Sequence, residues 1–266
     1  MAAFEPRVLG RTGLKVGPLG ISGGYGAPSE AFEEAFEHGC NYFYHGSRRK
    51  EGMTRAIRNL IGQGNRERMV ILLQSYSRSA GLMERFFIQG LRTLGLERAD
   101  ILLLGWHNKP PSPRILGRAL EMKEKGLYRF LAVSGHNRSL FPSLTGEGLY
   151  DIFHVRYNAA HRGAEEETFA RLPDQDRPGI VTYTATRWGG LLKPRKMPPG
   201  EKPLSAADCY RFALSHPKVD VCMTGPKNLD QMRGGLKALE AGPLSQEELA
   251  RARMIGDHLH ATGRKF

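Results

Sequence analysis

No stretch of this 266-residue chain approaches the roughly 18 consecutive apolar residues that a membrane-spanning helix needs, so no membrane role is expected. The opening MAAFEPRVLGRTG has no apolar core of the kind a secretory signal carries. Cysteine is scarce. Cys40, Cys209 and Cys222 lie far apart, which excludes both a disulfide framework and a Cys-based metal site and points to a reducing, cytoplasmic setting. Negative charge is also short, with 27 Asp and Glu against 39 Lys and Arg, a formal net charge of +12. The basic residues fall in short scattered runs (48–50, 177–188, 193–196) that no zinc finger, basic helix or aromatic-studded RNA motif frames. A nucleic-acid partner is therefore not expected. The charge suits an anionic cofactor or small-molecule substrate, and a protein partner or homo-oligomer stays open.

Several catalytic signatures are missing as well. There is no H-E-x-x-H and no G-x-S-x-G. The first glycine turn reads Gly20-Ile-Ser-Gly-Gly-Tyr-Gly26, whose spacing fails the G-x-G-x-x-G fingerprint of a Rossmann fold. What the sequence does contain is rhythm. Eight apolar runs (16–22, 41–46, 69–76, 100–107, 128–136, 152–158, 179–186, 219–225) alternate with amphipathic stretches. Those at 28–39, 53–64, 82–95, 113–126, 204–217 and 228–239 read as helices, the first with Ser29 as N-cap and most ending at glycine. The helices after strands five and six read as short. Eight strand–helix units in one chain predict a single domain over 1–266, a (β/α)8 TIM barrel of the α/β class. An N-terminal β-hairpin (7–16) is expected to plug one end, and an extra C-terminal helix (245–263) to pack outside.

In such a barrel, functional side chains sit where strands run into loops. Those strand ends are rich in hydroxyls, amides, aromatics and histidines, and poor in carboxylates. No paired acids stand there for glycosidase chemistry, and no hard metal site is expected.

Taken in order, the segments RVLGRTGLKVGPLGISGG, HGCNYFYHGSRRKEG, ADILLLGWHNKPP, RFLAVSGH, VRYNAAHRGAEEE, GIVTYTATRWGGLL and VCMTGPKNLDQMRGGLKAL make the chain resemble an aldo-keto reductase nearly end to end. The resemblance implies NADP(H)-linked carbonyl reduction by a Tyr, Lys, Asp and His tetrad. Here all four positions differ: Tyr44 stands for the Asp, Arg49 for the Tyr, Gln74 for the Lys and Gly105 for the His. The candidate catalytic groups are then Tyr44 as proton donor, Arg49 as its stabilising cation and His107 as a displaced imidazole.

On the cofactor side the resemblance implies roles for Ser134 and His154 at the carboxamide and for Tyr183 stacked on the nicotinamide. It also implies Arg187 at the pyrophosphate, Gly225, Lys227 and Asn228 around the 2′-phosphate at a helix start, and Gln231 on the adenine side. Tyr25, Gln74, Trp106 and His136 are expected to line the substrate pocket. Three readings stay open: an atypical reductase, a pseudoenzyme that binds a nucleotide or ligand without turnover, and a barrel repurposed for a non-redox reaction.

Overall fold

The computed structural model describes residues 3–46 and 48–263. Its first element is the expected hairpin, reduced to two-residue strands β1 (Arg7–Val8) and β2 (Lys15–Val16). A 3-10 turn over Gly10–Thr12 joins them, fixed by the Thr12 hydroxyl donating to the Leu9 carbonyl at 2.7 Å. Gly10 is required there. A β-carbon on it would lie 2.2 Å from the Gly179 amide nitrogen, and its φ of +47° is left-handed. Leu9, Leu14 and Val16 close the floor of the barrel, packing on the innermost strand residues.

Eight parallel strands follow and close on themselves: β3 (Leu19–Ser22), β4 (Tyr42–His45), β5 (Val70–Ser75), β6 (Ala99–Leu104), β7 (Tyr128–Gly135), β8 (Ile152–Arg156), β9 (Gly179–Tyr183) and β10 (Val221–Thr224). Each falls inside an apolar run identified in the sequence, give or take a residue. Both faces of every strand are covered, so the runs are continuous rather than alternating. The two faces still part with period two. Val70, Leu72, Ile101 and Leu103 fill the barrel, while Ile71, Leu73, Leu102 and Leu104 face the helices.

The helices are α1 (Ser29–Glu37), α2 (Glu51–Gly62), α3 (Ala80–Leu94), α4 (Pro113–Glu124), α5 (Leu140–Thr145), α6 (Ala164–Glu167), α7 (Ala206–Leu214), α8 (Leu229–Ala241) and α9 (Gln246–Thr262). As expected, α5 and α6 are short and α9 is the extra C-terminal helix. Ser29 is not the cap of α1. Pro28 holds that place and Ser29 is the buried first helical residue. Genuine caps occur at Ser205 and Ser245, each in a reciprocal capping box with Asp208 and Glu248.

The floor is further tied by three carboxylates used alike. Asp100, Asp151 and Asp220 each accept, at 2.8 Å, a backbone amide of the preceding strand (Ile71, Leu131 and Ile180). Arg177 grips Asp220 with two nitrogens, at 2.8 and 2.7 Å. The hairpin and these carboxylates occupy one end of the barrel, which leaves the opposite end for chemistry. Cys40, Cys209 and Cys222 are free and buried, and no described helix is long and apolar enough to cross a membrane.

Candidate functional site

The period-two alternation that fills the barrel also builds its mouth. Continuing each inward row by one step gives Tyr44 above Tyr42, Gln74 above Leu72, Gly105 above Leu103 and Ser134 above Ala132. It likewise gives His154 then Arg156 above Ile152, and Tyr183 above Val181. Of the candidate site residues, Tyr44, Gln74, Ser134, His154 and Tyr183 thus lie on inward rows at the mouth.

At its centre the Tyr44 hydroxyl donates to the Gln74 side-chain carbonyl at 2.6 Å and lies 3.0 Å from the Tyr76 hydroxyl. Burial and the neighbouring tyrosines hold the Tyr44 phenol well above its ordinary pKa. Arg49 does not offset this. It is exposed, and no hydrogen bond links it to Tyr44. The two expected partners are not brought together.

Gly105 explains Tyr76. A β-carbon on residue 105 would lie 2.5 Å from the Tyr76 ring, so the tyrosine occupies the room that glycine leaves. From the sequence Tyr76 is a strand-end residue to which no role is assigned. Its signal was the pairing of a glycine at a strand end with an aromatic just past the neighbouring strand. Arg78 then ties the two loops, donating to the carbonyls of Tyr76, Gly105 and Trp106.

His107 does not swing into this layer. Its side chain is buried, its backbone amide is held by the Ser134 carbonyl at 2.6 Å, and its Nε2 has no partner. Burial and nearby Arg78 push its pKa down to about 4, so it is a neutral imidazole at pH 7. His154 is committed as well. It is fully enclosed, with its Nε2 at 2.8 Å from the Tyr42 hydroxyl, and burial lowers its pKa to about 3.

Around the rim, Trp106 is exposed and left-handed (φ +57°), its amide donating to the Ser134 hydroxyl oxygen at 3.0 Å. The ring of His136 stands between Trp106 and Tyr183, with centroids 5.7 and 6.4 Å away. The Tyr183 hydroxyl is anchored to the Gly135 carbonyl at 2.9 Å, which fixes the ring as a wall. Tyr25 packs its ring over Gly225, where a β-carbon would lie 2.5 Å away.

The start of α8 carries Lys227, Asn228 and Gln231 together. The Lys227 amide donates to the Gln231 side-chain carbonyl at 3.0 Å, and the Gln231 amide to the Asn228 side-chain carbonyl at 2.9 Å. Of these two amides only that of Gln231 belongs to the helix, so the first-turn amides of Leu229 and Asp230 remain, with the Lys227 ammonium, to face an anion. Just before the turn, the buried Thr224 hydroxyl has no partner. Arg187 lies elsewhere, in a cavity between the loops after β8 and β9. Among the described residues, no three His, Cys, Asp or Glu side chains are grouped as a metal would require.

The closed parallel barrel with its plugged floor is a (β/α)8 fold. No family model matches the sequence, and no curated protein matches it. Among solved structures it is similar to aldo-keto reductase AKR11C1 from Bacillus halodurans. The apo form superposes with a TM-score of 0.76 at 19% identity and the holo form with 0.78 at 18%, each match covering 95% of this chain and 96% of the other. At that identity the likeness shows a shared fold.

Proposed function

We propose that this protein is a divergent aldo-keto-reductase-like oxidoreductase that binds NADP(H) at the barrel mouth and reduces a small carbonyl compound slowly. The observation that carries the reading is the end-to-end likeness to a reductase barrel. The mouth supports it. Ser134 keeps a hydroxyl hydrogen to donate, Tyr183 offers a fixed ring face, and the Lys227 ammonium and unpartnered Thr224 hydroxyl flank the start of α8. His154, tied to Tyr42, contributes through that tyrosine rather than at a carboxamide.

A reduced nicotinamide bound there would supply a hydride. The chain's own part is the proton. Tyr44 Oη, on the inward row at the mouth, is the donor, and Tyr76 Oη, on an exposed side chain, replaces the proton it gives up. With no cation or carboxylate acting on Tyr44 among the described residues, its phenolate is poorly stabilised. The substrate oxygen is therefore polarised by a neutral hydrogen bond, and turnover is slow.

The test is a titration of NADPH and NADH at two salt concentrations, followed by a panel of carbonyl compounds with Tyr44→Phe as control. Micromolar, salt-weakened binding that prefers NADPH, and turnover lost in Tyr44→Phe, are expected. Failure to bind either nucleotide overturns the reading. One observation favours the pseudoenzyme alternative: the Tyr44 hydrogen is already engaged by Gln74. Nucleotide binding with no turnover on any carbonyl would establish it.

A further inference from the structure

The net charge is not spread over the molecule. The eight segments that lead from barrel strands into helices hold thirteen Lys and Arg and a single carboxylate, Glu201. The seven segments on the plugged side, from α1 to β10, hold seven of each sign. Runs that look scattered in the sequence are gathered by the barrel onto one face.

On that face, beside the mouth, a cavity of about 300 Å³ opens between the loops after β8 and β9. Arg156, His161, Arg187, Trp188, Lys193 and Lys196 line it, and among the described residues no carboxylate does. Among the described residues, none of its four Lys and Arg side chains is in an ion pair. The Arg156 Nε is buried and has no hydrogen-bond partner among the described residues. Four cations collected without a counter-charge repel one another, and a buried guanidinium nitrogen left unpaired is costly. Such an arrangement is explained when a ligand supplies the missing acceptors.

The wall is strained as well. Thr184, Arg187 and Trp188 all have left-handed backbones (φ +60°, +51° and +52°) within five positions. Asn158 holds the turn by donating to the Thr184 carbonyl at 2.9 Å, and the Arg187 amide donates to the same carbonyl at 2.8 Å. Strain of this kind persists where the surroundings over-determine it, and it clusters at binding sites.

The cavity shares no lining residue with the start of α8 or with Ser134 and Tyr183. Its volume is that of a small ligand pocket. Arg156 stands in register opposite Tyr183, so the cavity adjoins the mouth. We infer that this cavity is a second anion site, which binds a phosphorylated small molecule through Arg156 and Arg187, with Lys193 and Lys196 neutralising its outer charge. Guanidinium groups grip phosphate oxygens with paired N–H bonds, and Trp188 gives the organic part a flat apolar contact. The inference goes beyond the nicotinamide reading and does not need it. It moves Arg187 from the dinucleotide to a separate ligand.

The probe is inorganic pyrophosphate, titrated calorimetrically at low and moderate salt into the protein alone and into protein saturated with NADPH. Micromolar, salt-sensitive binding is expected, and it should persist with NADPH present. Arg156→Gln with Arg187→Asn should weaken it at least tenfold, asparagine being chosen because it tolerates the left-handed backbone. Lys193→Gln with Lys196→Gln, at exposed positions that do not bear on folding, should weaken it about threefold or more and flatten its salt dependence. Lys227→Gln should leave it unchanged.

Wild-type affinity in both cavity variants overturns the inference. So does complete displacement of pyrophosphate by NADPH, which would make the cavity part of a dinucleotide site. Pyrophosphate binding in a protein that binds neither NADPH nor NADH leaves this inference standing and sinks the reductase reading instead.

Discussion

The ring of Tyr76 rests on the bare α-carbon of Gly105, closer than any side chain at position 105 would allow. The contact makes two neighbouring strand ends interdependent, and it places a hydroxyl beside Tyr44. Gly105→Ala should force the ring aside, cost about 1–3 kcal/mol by overpacking, and break the Tyr44–Tyr76 contact. In the Tyr76→Ala background the same substitution should be nearly neutral. A double-mutant cycle by chemical denaturation measures the coupling, and additive effects would refute it.

Gln74 is a neutral group beside a phenol that burial keeps protonated. Gln74→Lys would put a cation there and stabilise the phenolate. The Tyr44 pKa should fall, seen as an added step in the ultraviolet tyrosine titration that Tyr44→Phe abolishes. If the protein turns over a carbonyl compound, the rate should rise by tenfold or more. An unmoved titration would show that the lysine does not reach Tyr44.

His45 and His154 are held neutral by burial, with pKa values lowered to about 3, and His107 and His161 to about 4. In the unfolded chain the same groups take up a proton near pH 6.5. Between these limits the unfolded state binds more protons, so stability rises with pH and is lost as the pH falls from about 6.5 toward 4. The slope should approach about 1.4 kcal/mol per pH unit for each such histidine. His154→Gln should remove about one proton from that slope, measured by urea denaturation between pH 4.5 and about 7.

Asp220 joins the plugged end, accepting two nitrogens of Arg177 and the Ile180 amide while almost fully enclosed. Removing one member of such a pair strands the other. Asp220→Ala should cost about 3–5 kcal/mol in thermal or chemical denaturation, with nucleotide affinity unchanged because the site lies at the far end.

Much of this architecture could be read from the chain. Eight continuous apolar runs meant strands covered on both faces, and the glycines after Leu94 and Lys125 marked helix ends correctly. Boundaries were less legible. Ser29 has the right chemistry for a cap, yet Pro28 takes the place because the fixed proline backbone is already extended there. At the site, the inward layer of Tyr44, Gln74, Ser134 and Tyr183 follows from strand periodicity alone. Tyr76 does not, because its position depends on an absent side chain on another strand. Arg156 was passed over, although a charge closing an apolar strand, two residues after His154, faces the same way as that histidine. The concentration of positive charge could not be seen at all. Its residues come from seven of the eight segments between a strand and the next helix, and only closing the barrel sums them.

That one-sided distribution gives the molecule a large permanent electric moment along the barrel axis. In front of any extended anionic surface, such as a polyelectrolyte, an anionic vesicle or a cation-exchange bead, it will turn before it touches and land mouth first. A protein that adsorbs in that pose covers its own entrance. Phosphate buffers and nucleic acid carried through purification would compete for the same face. Activity and binding of this protein are therefore best sought in buffers free of polyvalent anions, where the entrance stays open.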